Sequence, residues 1–261
     1  MNINLTGKNA LIGGSSKGLG LAIAKQLAAS GANVTLMARR ETTLKKVVDQ
    51  LDTHSMQKHQ FLVINFSDFD EFRSKMEKFF KNNNIDILIN NTQGPVAGNA
   101  IEKSIDDYQS AFDLLFKCAV LTSNLALPHM QNQKWGRIVN VSSISVREPL
   151  SYLALSNSLR AALVAWAKSL SIEIASDNIT VNNTLTGYFD TERIAEINAQ
   201  KAEKMGIPET EVRSAIISSI PAKRIGHPDE YANLVCFLVS DQAGYITGTN
   251  IPIDGGFLKS Y

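Results

Sequence analysis

Short apolar runs alternate with longer amphipathic segments along the whole chain. The apolar runs are continuous and do not alternate with polar positions, which is typical of strands covered on both faces of a parallel sheet. They predict strands over residues 9–13, 33–38, 59–65, 85–90, 137–142, 179–185 and 250–253. The segments between them predict helices over residues 19–30, 41–52, 68–81, 104–131, 152–176 and 229–240, and a helical region over 191–217 that is interrupted around 206–208. Such repeated strand–helix units predict an α/β fold, a doubly wound parallel sheet with helices on both faces.

The domain organisation follows from the length of the chain and the even spread of these elements. The chain has 261 residues, which is within reach of one large α/β domain. Because no linker, repeat or low-complexity segment interrupts the pattern, residues 1–261 are predicted to form a single domain. Within it, residues 191–217 are predicted to be a helical substrate-loop region, and the interruption at 206–208 is the candidate for a mobile insertion.

Composition and charge bear on several classes of partner. Hydrophobic residues make up 44% of the chain and charged residues 20%, and the net charge of +1 gives no basis for a nucleic-acid partner or an anionic membrane. The start of the chain lacks the pattern of a signal peptide, and no apolar stretch is expected to approach membrane-spanning length, so we expect a cytoplasmic protein. Cys118 and Cys236 lie in apolar stretches and are predicted to be buried free thiols. The four histidines show no metal-ligand spacing, and no metal site is predicted.

A glycine-rich turn lies between the first predicted strand and the first predicted helix, over residues 14–20. Glycines let the chain turn tightly and let backbone N–H groups approach a pyrophosphate, to which the helix N-terminus adds positive potential. The strand before it, the helix after it and the second strand close behind favour a dinucleotide site over a structural turn without a ligand. The cofactor contacts predicted in this turn are Gly14, Ser16, Lys17, Gly18, Leu19 and Gly20.

From this turn onward the chain resembles the short-chain dehydrogenase/reductase family over nearly its whole length. Residues 90–94 resemble the family's Asn-Asn-Ala-Gly segment, and residues 136–143 resemble its fifth strand, which ends in the substrate serine. Residues 179–191 resemble its sixth strand and cofactor loop, and residues 246–256 its C-terminal signature. The nearest resemblance is to 3-oxoacyl-carrier-protein reductases and their divergent relatives. It implies a Rossmann-type fold and an oxidoreductase that interconverts a carbonyl and a secondary alcohol.

The end of the second predicted strand bears on the choice of nucleotide. Dinucleotide domains that prefer NAD place an acidic residue there, whereas this chain has Ala38 followed by Arg39 and Arg40. A guanidinium suits a 2′-phosphate by charge and by forked geometry. In the family that the chain resembles, a lysine at the Lys17 position with an arginine at the Arg39 position accompanies NADP(H). We therefore predict NADP(H) as the preferred cofactor, with NAD(H) possible; the alternative is that these cations are solvated surface charges.

The resemblance also implies cofactor contacts outside the glycine turn. Asn65 and Phe66, at the end of the third predicted strand, match the position of the family's contact with the adenine edge. The remaining contacts implied by the matched segments are Asn90, Arg160, Gly187, Phe189 and Thr191.

The catalytic positions are where the chain departs from the family pattern. The family uses a tyrosine as proton donor, a lysine four residues later, a serine that holds the carbonyl oxygen and an asparagine that supports a water relay. Aligned without gaps, the serine position holds Ser143, the tyrosine position Ser156, the lysine position Arg160 and the asparagine position Leu115, while Thr186 replaces a proline. The predicted catalytic residues are therefore Ser143, Ser156 and Arg160. A serine is a far weaker acid than a phenol, and an arginine keeps its charge but does not give up its proton.

Two tyrosines are candidates to replace the missing phenol. Tyr152 lies four residues before Ser156, so it shares a face with Ser156 if that turn is helical. Tyr188 lies in the cofactor loop. In each case the alternative is ordinary packing of an aromatic ring.

Three hypotheses for function remain open at this point. The first is an NADP(H)-dependent oxidoreductase with an atypical active site, acting on a small-molecule or acyl-thioester substrate. The second is a catalytically impaired NADP(H)-binding sensor or scaffold protein, and the third is a different chemistry on the same fold. The predicted helices 104–131 and 152–176 carry broad apolar stretches. The resemblance implies that they pair between copies in a homodimer or homotetramer; the alternative is burial within one monomer.

Overall fold

The computed structural model describes residues 3–260 and contains the predicted doubly wound sheet. Seven strands form one sheet in the order β3-β2-β1-β4-β5-β6-β7, and every neighbouring pair is parallel. The strands are β1 (Asn9–Gly13), β2 (Asn33–Ala38), β3 (Gln60–Val63), β4 (Ile87–Asn90), β5 (Gly136–Ser143), β6 (Ile179–Thr186) and β7 (Asn250–Ile253). All seven predicted strands are confirmed, because continuous apolar runs are what a sheet buried on both faces requires.

Nine α-helices in the described part of the chain connect and cover these strands. They are α1 (Gly18–Ala29), α2 (Glu41–Val48), α3 (Phe69–Phe80), α4 (Ile105–Phe112), α5 (Cys118–Asn132), α6 (Ala154–Ile174), α7 (Glu192–Met205), α8 (Glu209–Ser219) and α9 (Pro228–Leu238). The predicted interruption at 206–208 is confirmed: Gly206, at a φ of +66°, ends α7, and Pro208 precedes α8.

The helices form two buried layers around the sheet. On one face α1 and α2 pack against β2 and α9 packs against α1 and β5, with Leu27, Leu44 and Val235 fully buried. On the other face α5 and α6 pack against β5, and α3 packs against α5. Cys118 and Cys236 are buried free thiols, as predicted. The carboxyl ends of the parallel strands meet at one edge of the sheet, which is where open α/β sheets bind ligands.

Two predicted helices differ from the structure. The single helix predicted over 104–131 is divided, because a five-residue π-helical turn, Asp113–Lys117, separates α4 from α5. The helix predicted from 152 begins at Ala154, because the preceding backbone pairs elsewhere: Gly98 N donates to Tyr152 O at 2.8 Å, and Ala154 N donates to Gly98 O at 3.1 Å. Tyr152 therefore lies in a turn and not on the face of α6.

The expectation that no apolar stretch approaches membrane-spanning length is wrong. The continuous helical segment Ile105–Asn132 is 28 residues long and, by length and composition alone, apolar enough to cross a membrane. In the fold it is a core helix: 44% of its most apolar window is buried, and α5 packs against α3. The apolar composition of this segment is therefore explained by its contacts with the sheet layer.

Candidate active site

A cleft of about 460 Å³ opens at the carboxyl ends of the strands. It brings together most of the residues predicted from the sequence: Gly14, Ser16, Lys17, Gly18, Leu19, Gly20, Arg39, Phe66, Ser143, Ser156, Arg160, Gly187, Phe189 and Thr191. Asn65 and Asn90 are not among its lining residues, and the Asn65 Oδ1 atom accepts a hydrogen bond from the Ser67 amide at 3.2 Å. Direct contact of these two residues with a cofactor stays a prediction.

The turn after β1 has a geometry that depends on glycine. Gly14 and Gly18 adopt positive φ values of +55° and +57°. A β-carbon on Gly20 would lie 2.4 Å from the Gly14 carbonyl oxygen, which is far inside van der Waals contact. α1 begins at Gly18 without a side-chain cap and without an acidic residue in its first turn. Its first N–H groups therefore remain available to an anion in the cleft.

Ser15 anchors this turn to the sheet. Its buried hydroxyl donates to the Ile12 carbonyl at 2.9 Å and accepts from the Met37 amide at 2.9 Å. The turn is thereby held against the end of β2, so the glycine segment and the residues after β2 face the same part of the cleft.

Three cations line the part of the cleft beside α1. Arg39 and Arg40 are exposed and form no ion pair with any residue in the range 3–260. Lys17 Nζ lies 3.3 Å from Glu196 Oε1 of α7, and both side chains are about half exposed. The cleft thus offers two unengaged guanidinium groups and one lysine that is paired across its mouth.

Asn90 belongs to a ladder of amides that crosses four strands beneath the cleft. Its Nδ2 donates to Asn140 Oδ1 at 2.8 Å, Asn140 Nδ2 donates to Asn183 Oδ1 at 2.9 Å, and Asn183 Nδ2 donates to Asn250 Oδ1 at 2.8 Å. Asn90 Nδ2 also donates to Ser123 Oγ at 3.1 Å. Sequence reasoning missed this ladder, which satisfies polar groups in the middle of a buried sheet.

The three predicted catalytic residues meet where β5 ends beside α6. Ser143 lies at the end of β5, and its Oγ accepts a hydrogen bond from the Ser145 amide at 3.1 Å. Arg160 Nε donates to the buried Ser156 Oγ at 3.2 Å, and Arg160 Nη1 donates to the Val141 carbonyl. Burial lowers the pKa of Arg160 to about 10, so the guanidinium remains charged at neutral pH.

Thr186 and Tyr231 form a second hydroxyl cluster near Arg160. The Tyr231 hydroxyl on α9 is fully buried and hydrogen-bonds with Thr186 Oγ1 at 2.8 Å and Thr184 Oγ1 at 2.6 Å. Burial raises the pKa of Tyr231, while the Arg160 charge acts in the opposite direction. Thr186 lines the cleft, so its hydroxyl connects a buried phenol to the cavity wall.

Leu115 lies in the π-helical turn and is buried. It lines a second cavity of about 20 Å³, together with Thr122, Asn90 and Arg160. That volume is enough for one water molecule, although the wall is mostly apolar and includes only a few polar residues. Leu115 itself offers no polar atom to hold such a water.

Tyr152 and Tyr188 both line the cleft, although Tyr152 reaches it from a turn and not from the face of a helix. Burial, and a hydrogen bond to Tyr152, raise the pKa of Tyr188. Lys201 Nζ of α7 lies 5.9 Å from the centre of the Tyr152 ring. Two phenols and one ammonium therefore face one another at the end of the cleft away from the glycine turn.

Residues 14–258 match the family model described as Enoyl-(Acyl carrier protein) reductase. The 3-oxoacyl-[acyl-carrier-protein] reductase FabG of Rickettsia felis is 32% identical over 257 residues, which cover 98% of this chain and 99% of that protein. The chain belongs to the short-chain dehydrogenase/reductase family. The resemblance found in its motifs is thereby confirmed for the family as a whole.

Two further relatives lie at similar distance within the short-chain dehydrogenase/reductase family. The NADPH-dependent reductase BacG of Bacillus subtilis is 29% identical, over 97% of this chain and 98% of that protein. The L-sorbose reductase of Gluconobacter frateurii, solved with NADPH and L-sorbose, superimposes with a TM-score of 0.92 at 29% identity, and the match covers 100% of both chains. The Rossmann-type fold is confirmed; the assignment of Ser156 and Arg160 to the family's tyrosine and lysine positions stays a prediction.

Proposed function

We propose that this protein is an NADP(H)-dependent oxidoreductase that interconverts a carbonyl and a secondary alcohol through an atypical active site. The observation that carries the proposal is the convergence of the glycine turn, the free Arg39 guanidinium, Ser143 and the Ser156–Arg160 pair on one cleft. Relatives named as NADPH-dependent or solved with NADPH support the choice of cofactor. The substrate is a small molecule or an acyl thioester, in keeping with the FabG relatives.

The residues of the cleft fit a phosphorylated dinucleotide. The turn at 14–20 leaves room for a pyrophosphate because its glycines carry no β-carbon, and the first N–H groups of α1 supply donors. Arg39 and Lys17 would hold the 2′-phosphate, and Phe66 would contact the adenine. When bound, the nicotinamide supplies or accepts a hydride; the protein's part is to hold the substrate oxygen and move a proton.

The proton path follows from the hydrogen bonds of Arg160. Because Arg160 Nε donates to Ser156 Oγ, the serine's own proton is free to point towards a substrate oxygen. The buried positive charge stabilises negative charge on that oxygen, and Ser143 holds it from the end of β5. Arg160 keeps its proton, so Ser156 gives its proton to the substrate oxygen and takes another from a water in the adjoining cavity, which regains its own from solvent.

The test follows NADPH oxidation with simple ketones, quinones and acetoacetyl thioesters in the parent and in the double variant Ser156→Tyr/Arg160→Lys. Turnover by the parent is expected with at least one carbonyl compound. General acid catalysis by a phenol contributes on the order of 100-fold or more, so the double variant should gain at least about tenfold in kcat. Ser158→Tyr, at an exposed position on the same helix, is the matched control. No turnover by the parent or the double variant, despite tight NADPH binding, would contradict the proposal.

A second candidate is a catalytically impaired NADP(H)-binding sensor or scaffold. The apolar Leu115 beside the water-sized cavity favours it, because that position gives a proton relay no support. We would then expect a homodimer or homotetramer whose assembly responds to NADP(H). Exposed apolar side chains on α4 and α6, Ile105 and Ile172, are available for such contacts. Light scattering with and without NADPH distinguishes the two: an unchanged mass contradicts the sensor.

A further inference from the structure

The wall of the cleft formed by α7 contains a buried amide without a partner. Asn198 is only 4% exposed and lines the cleft, and its Oδ1 atom has no hydrogen-bond donor in the described part of the chain. Buried polar atoms are nearly always paired, and an unpaired one is energetically unfavourable. The glycine turn, Arg39 and Ser143 explain the nucleotide and the reacting carbonyl, but none of them accounts for this amide.

The surroundings of Asn198 have a definite chemistry. On α7, Asn198 lies between Ile197 and Lys201, and all three line the cleft; we call this set the α7 wall. Opposite it stand Tyr152 and Tyr188, and Lys201 Nζ lies over the Tyr152 ring at 5.9 Å. The α7 wall therefore presents one amide, which donates and accepts, and one ammonium at its exposed end.

We propose that the α7 wall binds a compact, hydroxylated carboxylate, which is the part of the substrate that does not react. Because Asn198 Oδ1 is itself shielded from the cleft, the amide must rotate to present this atom to a ligand. A hydroxyl group then donates to Oδ1 and can accept from the same amide, so it completes both halves of the amide's hydrogen bonding. The carboxylate is attracted to Lys201. This inference rests on the proposed function for the position of the nucleotide in the rest of the cleft.

A long hydrocarbon chain does not fit these observations. It would leave Asn198 unpaired and would place apolar surface against a lysine. A site that hydrogen-bonds a hydroxyl also rejects analogues that lack one, because its polar groups then stay buried and unpaired.

The test compares three six-carbon probes by titration calorimetry: gluconate, with hydroxyls and a carboxylate; hexanoate, with only the carboxylate; and sorbitol, with only hydroxyls. Each is titrated into the free protein and into protein saturated with NADP⁺. Gluconate is expected to bind at least about tenfold more tightly than either of the others.

Two variants assign the preference to the α7 wall. Asn198→Leu should weaken gluconate binding at least about tenfold while leaving hexanoate binding unchanged. Lys201→Gln should weaken gluconate severalfold and leave sorbitol unchanged. Gln200→Leu, on the same helix but outside the cleft, is the matched control and should change nothing.

The melting temperature separates a binding role from a structural one. Because Asn198→Leu removes an unpaired buried amide, the free variant should melt at or above the temperature of the parent. A marked fall, equal binding of gluconate and hexanoate, or gluconate binding that survives Asn198→Leu would each overturn the inference. Failure to bind NADP⁺ would instead contradict the proposed function, and the titrations of free protein would still decide the chemistry of the α7 wall.

Discussion

The two halves of the cleft differ in how they depend on the sequence. The nucleotide half, formed by β1, the glycine turn, α1 and the end of β2, works through backbone: it needs missing β-carbons and free N–H groups. The reaction half, formed by β5, α6 and the end of β6, works through side chains. A cradle made of backbone tolerates little change, because an added β-carbon meets protein atoms, whereas side chains at the end of β5 and on α6 can differ without altering the backbone.

The buried polar groups of the reaction half are paired with one another. Arg160 is buried, but its guanidinium is paired with the Val141 carbonyl and the Ser156 hydroxyl, so the charge is not left without partners. Thr186 pairs with the Tyr231 hydroxyl in the same way. The nucleotide half, in contrast, leaves Arg39 and Arg40 exposed and unpaired within residues 3–260. In the reaction half the buried polar groups are hydrogen-bonded to one another, whereas in the nucleotide half the two guanidinium groups remain available to an anion.

The sharpest way to break the nucleotide half is Gly20→Ala. The added β-carbon would lie 2.4 Å from the Gly14 carbonyl oxygen, and neither atom can move away unless the backbone itself shifts. We expect NADPH affinity to fall by at least about 100-fold, measured by nucleotide fluorescence. Gly7→Ala is the control: nothing lies within 4 Å of its β-carbon position, and its positive φ, which Gly20 does not share, makes it a control for backbone strain without a clash. Unchanged NADPH affinity in Gly20→Ala would show that the glycine turn does not bind the cofactor.

The fold and the glycine turn could be predicted from the sequence because both depend on local patterns, whereas binding of a nucleotide there stays a prediction. Each buried strand is one apolar run, and the glycine turn is one segment next to a strand. The amide ladder was missed because it depends on register: Asn90, Asn140 and Asn183 come from distant segments and meet only when their strands pair. In sequence each is a single polar residue that interrupts or ends an apolar run.

The position of Tyr152 in a turn and the burial of Asn198 without a partner could not be predicted from the sequence, for related reasons. Tyr152 was expected to reach the cleft from α6, but pairing with Gly98 holds it in a turn, and pairing between distant loops has no local signature. Asn198 is one polar residue in an amphipathic helix, and only its burial without a partner distinguishes it. Leu115 lies within the helical stretch predicted over 104–131, but no residue pattern indicated the π-helical turn around it.

A second test sharpens the comparison through the choice of nucleotide. Arg39→Ala removes a charged donor that faces the cleft, and hydrogen bonds to charged groups contribute about 1.5–3 kcal/mol. NADPH affinity should fall about 30-fold, whereas NADH affinity should change less than about twofold because NADH lacks the 2′-phosphate. Parallel titrations of both nucleotides measure this. An equal loss for both would mean that Arg39 supports the fold of the cleft and does not read the phosphate.

A third test addresses the charge in the reaction half through pH. Because burial lowers the pKa of Arg160 only to about 10, the guanidinium keeps its proton throughout the neutral range. The parent's kcat/KM should therefore show no loss attributable to this residue up to about pH 9. In Arg160→Lys, burial lowers the pKa of an ammonium from a lower starting value, so activity should decline severalfold as pH rises through about 8–9. A flat profile in the variant would show that the charge at this position does not matter to turnover.

The smallest effect is expected where the two halves are linked, at the pair between Lys17 and Glu196 of α7. Lys17 must leave Glu196 to face a phosphate, so Glu196→Gln removes a competitor for its charge. Exposed ion pairs contribute about 0.2–1 kcal/mol, and a value of about 0.5 kcal/mol gives a gain in NADPH affinity of about two- to threefold. The gain should vanish at high salt, where exposed charges are screened, and should be absent for NADH.

Glu203→Gln, exposed on the same helix, controls for the loss of negative charge. If Glu196→Gln weakened NADPH binding instead, the Glu196 carboxylate would be holding α7 over the cofactor. The ion pair between Lys17 and Glu196 would then favour NADPH binding and not compete with it.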